Sequence, residues 1–138
     1  MRPPEEEIGR LVAEWVKKAD LDFSTSLRLS AEPEFRDIVV FHAQQAVEKY
    51  LKALLTRHQM EFPKTHVIRR LLLLLQPVES ELADALEDAN WLSPFGVDIR
   101  YPADFPETLP GDEARAVELA RRVKSAVMTV LDPFVSGA

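Results

Sequence analysis

The chain has 138 residues, 46% of them apolar and 29% charged, with a formal net charge of −6 and no cysteine. That length and balance suit a packed domain rather than a disordered chain. The acidity argues against a surface that grips long nucleic acid along its whole length, so any phosphate contact must use a local patch. The missing cysteine excludes a disulfide framework, a thiol nucleophile and a cysteine-based zinc site.

The opening stretch "MRPPEEEIGR" is acidic and lacks an apolar segment, unlike a secretory signal. The longest unbroken apolar run, Leu71 to Leu75, falls far short of the roughly 20 residues of a membrane span. A cytoplasmic protein with no membrane contact is expected. After Pro3-Pro4, the residues Ile8, Leu11, Val12, Trp15, Val16, Ala19, Phe23 and Leu27 recur at helical spacing. They predict a first helix ending near Ser30, with Glu5 to Glu7 at the positive end of its dipole.

A second helix follows Pro33 and stops near Gln59. Val39, Ala43, Ala46, Val47, Tyr50 and Leu54 share one face, which Val40 and Leu51 widen, so this helix is expected to be central with more than one neighbour. Thr65 is expected to cap a third helix, His66 to Gln76. Its five consecutive leucines imply burial all round, or one face buried against another subunit. A fourth helix is predicted from Pro77 to about Leu92, with Val78, Leu82, Leu86 (or Ala85) and Ala89 inward. "SPFGVDIRYPADFPETLPG", from Ser93 to Gly111, holds four prolines and two glycines and is read as a long loop that packs onto the domain. Asp112 is expected to cap a last helix to about Leu131. The prediction is one all-α domain over residues 1–138, with its core from about 8 to 132. It is an up-and-down bundle of about five helices with a long Pro-rich loop before the last.

One stretch raises a functional question. In "FHAQQAVEKYLKALL", the side chains His42, Gln45, Lys49 and Lys52 fall in one narrow sector of the helix, with Glu48 at its border. By pattern alone this is a solvated face with an ordinary Glu48–Lys52 pair. "PKTH" is a second site. A capping Thr65 would leave backbone N–H groups facing an anion, with Lys64, His66 and Arg69 nearby in sequence; a plain cap is the simpler reading. Metal ligation is not expected: His42 and His66 have no partner at ligand spacing, and His58 stands alone at a helix end. No cofactor motif is present. Trp15 and Trp91 fit core positions better than a base-stacking platform.

"FHAQQAVEKYLKALL", "PKTHVIRRLL" and "DIRYPADFP", in that order and spacing, resemble the HEPN domain family, and "WVKKADLDFSTSLRL" fits its opening helix. The resemblance covers about residues 10 to 131. It implies a helical homodimer, frequently encoded beside a minimal nucleotidyltransferase and acting with it as a toxin–antitoxin pair. It also implies that active members are metal-independent ribonucleases with an Arg followed four to six residues later by His.

Arg100 matches the arginine of that motif, but positions 105 to 107 are Phe105, Pro106 and Glu107, and the three histidines all precede Arg100. Metal-free cleavage needs a base for the 2′-hydroxyl proton and an acid for the leaving oxygen. Nothing at the expected place supplies either. Asp104 or Glu107 could substitute only with a raised pKa, of which the sequence carries no sign, and His42 could stand in if the second helix faces the loop. Arg100 itself reads either as a phosphate ligand or as a tie from the loop to a carboxylate such as Asp22 or Glu48.

Three readings compete. The first is a homodimeric module that binds nucleotide or RNA through Arg100, His42, Gln45, Lys49, Lys52, Lys64 and His66 and partners a nucleotidyltransferase. The second is a ribonuclease with a non-standard acid–base residue, for which Arg100 and His42 are the catalytic candidates. The third is a purely structural interaction domain. The missing histidine favours the first over the second. The five-leucine run and the broad apolar arc of the second helix are the sequence argument for a homodimer.

Overall fold

A computed structural model describes residues 4–96 and 102–135. Among these residues the regular structure is entirely helical. It comprises α1 (Glu5–Leu29), α2 (Arg36–Arg57), α3 (Ile68–Leu75), α4 (Ser80–Ala85) and α5 (Asp112–Val135), with 3-10 turns at Pro33–Phe35, Glu87–Gly96 and Pro102–Asp104. The all-α bundle expected from the apolar periodicity is what forms. No helix among the described residues is long and apolar enough to cross a membrane.

α1 forms because its apolar residues keep one phase. Ile8, Val12, Val16, Ala19 and Phe23 are all buried, and Ser26, on the same line, donates from Oγ to the Val39 carbonyl at 2.7 Å. Leu27, expected inside, is 42% exposed because the arc ends one turn earlier. α2 is the centre of the bundle. It packs against α1, α5, α3 and the 87–96 turn, and its buried residues lie on every side. It ends with Gln59 at φ 55°. There Met60 N–H reaches the Leu55 carbonyl at 3.0 Å and Gln59 N–H the Thr56 carbonyl at 2.9 Å, the paired bonds of a Schellman turn.

Four local expectations need correction. α3 starts at Ile68, not His66. Thr65 Oγ1 accepts only the Val67 N–H, at 3.1 Å, while the first helical N–H groups are taken by distant side chains. Ile68 N–H reaches Ser93 Oγ at 2.8 Å and Arg69 N–H reaches Asn90 Oδ1 at 2.9 Å. The leucine run is not buried all round: Leu71, Leu72 and Leu75 are inside, but Leu73 is 62% exposed. The fourth helix breaks after Ala85 and continues as the 3-10 turn 87–96, and Val78 stays exposed. Asp112 opens α5 as its first residue. Its Oδ2 accepts the Leu109 N–H at 2.8 Å, whereas Gly111 N–H binds Glu113 Oε1 at 2.6 Å. Gly111 has φ 99°, a conformation that disfavours any side chain there.

The loop before α5 does pack onto the domain. Phe95 is buried and Phe105 partly so, their rings 5.6 Å apart. Val97, Ile99, Arg100 and Tyr101 lie outside the described residues.

Candidate functional site

The polar sector of α2 is not a solvated face. It packs against α1 on one side and the chain from Phe62 to His66 on the other, and it is organised around two carboxylates. Asp22, on α1, uses both oxygens: Oδ1 meets His42 Nδ1 at 2.8 Å and Oδ2 accepts from Lys49 Nζ at 2.6 Å. Glu48, only 3% exposed, uses Oε1 twice, for Lys52 Nζ at 3.3 Å and His66 Nδ1 at 3.1 Å. Lys52 lies 5.8 Å above the Trp15 ring and 5.7 Å from the Phe62 ring, so its charge is also held by two aromatic faces.

Two neutral side chains extend the Glu48 cluster. Gln44 is fully buried; its Nε2 donates to the His66 carbonyl at 3.1 Å and its Oε1 accepts from Gln45 Nε2 at 2.7 Å. Gly96 lies against Gln44 so closely that a Cβ there would fall 2.4 Å from the amide carbon. The start of the segment that carries Arg100 is thereby anchored on α2. On the α1 side, the Tyr50 hydroxyl donates to Asp20 Oδ1, which also meets Lys124 Nζ at 3.3 Å. Burial and then the Asp20 carboxylate push the Tyr50 phenol far up, so it stays a neutral donor.

Of the seven expected binding residues, the structure places five in two neighbouring clusters along α2: His42 and Lys49 on Asp22, and Lys52, His66 and Gln45 around Glu48 and Gln44. Lys64 stands outside it, exposed. Arg100 lies outside the described residues. The anion site imagined at "PKTH" has lost its donors, because Ser93 and Asn90 already occupy the first backbone N–H groups of α3. His58, expected to stand alone, meets Glu79 Oε2 at 2.8 Å. Trp15 and Trp91 are half-buried rather than core, and Arg115 lies 4.2 Å from the Trp91 ring. Both carboxylates named as partners for an Arg100 tie, Asp22 and Glu48, already hold a lysine each.

Sequence reasoning missed Gln44 and the role of Asp22. The available signal was position: Asp22 falls beside Phe23 and one helical turn before Ser26, at the edge of the α1 apolar arc, where an acid must find a partner on the neighbouring helix.

Burial by itself raises the Asp22 carboxyl, but the hydrogen bonds from His42 and Lys49 outweigh it and hold the group below the usual carboxylate range. Glu113 is likewise lowered, chiefly by the hydrogen bond from Arg36 at 2.7 Å. A carboxyl that is more acidic folded than unfolded contributes stability above its unfolded value, about pH 4, and loses it as pH falls toward the folded value. The melting temperature should therefore fall as the pH drops below about 4. The Asp22→Asn variant should melt lower at pH 7 and show a shallower slope in acid. An unchanged slope would mean that Asp22 is not held as its geometry indicates.

No curated protein and no solved structure matches the chain. The model of the HEPN domain matches residues 12–130, a span that contains all five helices except the outer turns of α1 and α5. The chain belongs to the HEPN domain family.

Proposed function

We propose that the protein is a homodimeric HEPN module that binds nucleotide or RNA and partners a minimal nucleotidyltransferase in a toxin–antitoxin-type pair. Family membership supports a nucleotide- or RNA-related role. The observation that carries the reading is the pair of carboxylate-centred clusters along α2. A helix that served packing alone would not withdraw the charges of Asp22, Glu48, Lys49 and Lys52 from water, with His42 and His66 bonded beside them, because each buried charge costs free energy.

Within this reading the paired lysines do not act as free cations. Lys49 and Lys52 shape the strip and tune its field, and an incoming phosphate competes with Asp22 and Glu48 for them. Arg100, four residues beyond the Gly96 anchor, is the arginine assigned to phosphate, with Lys64 as an outer contact. The ribonuclease reading is the weaker one because residues 105 to 107 supply no imidazole.

The test is one titration and one melt of the same variant. Arg100→Ala should weaken binding of a single-stranded RNA oligomer about ten-fold, the loss of one charge-assisted contact, and leave the melting temperature nearly unchanged. A large drop in melting temperature at constant affinity would make Arg100 a structural tie and defeat the assignment. Light scattering at micromolar concentration should give twice the chain mass of 15.7 kDa. A clean monomer there would count against the dimer.

A further inference from the structure

The Asp22–His42 contact says more about the ligand than the lysines do. Asp22 accepts a hydrogen bond from Lys49, an ammonium that can only donate, and its carboxyl is held ionised. An ionised carboxylate only accepts, so His42 must carry a proton on Nδ1, the atom 2.8 Å from Asp22 Oδ1. In the neutral imidazole the other nitrogen, Nε2, is then a bare lone pair. No group among the described residues bonds to it, and the His42 side chain is 30% exposed. The ring is steadied by an edge contact with Phe41, centroids 5.3 Å apart.

A phosphate oxygen cannot pair with a lone pair, and the Asp22 charge beside it repels phosphate. What His42 Nε2 can take is a donor. On a nucleic-acid backbone the donor that sits beside the phosphate is the ribose 2′-hydroxyl. We infer that Asp22 is a positioning residue that locks His42 as the Nδ1–H tautomer, so that Nε2 accepts a hydrogen bond from a ribose hydroxyl and makes the strip select RNA over DNA. This rests on the nucleic-acid reading above and sharpens it to a substrate class.

The experiment uses the full chain in EDTA at pH 8, with two single-stranded oligomers of one sequence, one ribo and one 2′-deoxy. The wild type should bind the ribo form roughly ten-fold more tightly, the size of one well-made hydrogen bond. His42→Ala should bind both forms alike, at the affinity of the deoxy form. Two-bond proton–nitrogen spectra should place the His42 proton on Nδ1 in the wild type and show mixed tautomers in Asp22→Asn, a change that loss of packing alone would not produce. Equal wild-type affinity for the two oligomers, a preference that survives His42→Ala, or a proton found on Nε2 would each overturn the inference. Failure of both oligomers to bind would defeat the nucleic-acid reading itself, and the ligand assignment with it. Binding of both without preference defeats only the inference.

Discussion

Replacing Glu48 by alanine is expected to cost about 3–5 kcal/mol of folding stability. The carboxylate is almost completely buried and serves two partners, Lys52 at 3.3 Å and His66 at 3.1 Å. Its removal strands the Lys52 ammonium, whose side chain is 13% exposed, against Trp15 and Phe62 with no counterion among the described residues. The ring faces soften that loss but supply only about 0.5–2 kcal/mol. It also frees the chain around His66, since Glu48 and Gln44 are its two anchors on α2. Glu48→Gln keeps an acceptor and should cost less. The double variant Glu48→Leu/Lys52→Met removes both charges and should recover much of the loss, because an apolar pair of similar volume replaces a buried ion pair without the desolvation cost. Urea unfolding with an unchanged slope measures each step. A loss below about 1 kcal/mol for Glu48→Ala would place the pair among solvent-screened surface bridges, and the strip would then lack the rigid frame argued for it.

Gly96→Ala should destabilise the protein by about 1–3 kcal/mol, although a glycine-to-alanine change in an unstrained backbone ordinarily stabilises by a few tenths to about 1 kcal/mol. The sign turns on Gln44. The added methyl would lie 2.4 Å from the Gln44 amide carbon and nitrogen. Glutamine ends are normally easy to displace. This one is fully buried and holds both the His66 carbonyl and the Gln45 amide, so moving it breaks two hydrogen bonds and disturbs a packed side chain. Gln44→Ala alone should also destabilise, by emptying space and leaving the His66 carbonyl and Gln45 amide unpaired. Together the two substitutions should cost clearly less than their sum, with a coupling of about 1–2 kcal/mol, since the shortened side chain makes room for the methyl. Strict additivity would show that Gly96 and Gln44 do not touch. The same cycle read as RNA affinity reports on the segment after Gly96. A weakened Gly96→Ala restored by Gln44→Ala would tie ligand binding to the placement of that segment.

The sequence by itself determined the three long helices and the central place of the second. Ile8, Val12, Val16, Ala19 and Phe23 recur every three or four residues, and that phase specifies which face of α1 is dry whatever it meets. The broad apolar surface of α2 likewise announced a central helix. Periodicity is a local property, so it survives in a single chain. Tertiary structure decided the rest, because the deciding partners are distant. α3 begins at Ile68 because Ser93 and Asn90 cap it from 25 and 21 residues away. Leu73 is outside although its sequence neighbours are alike, because α3 is only eight residues long and covers one side of the bundle. Glu48 looks in sequence like half of an exposed i,i+4 pair. It became a buried anchor only when the Phe62–His66 stretch closed over it, and Asp22 became the partner of His42 only when α1 crossed α2. A helical wheel gives the direction of a side chain; the charge and burial that direction meets are set by the second element that arrives there.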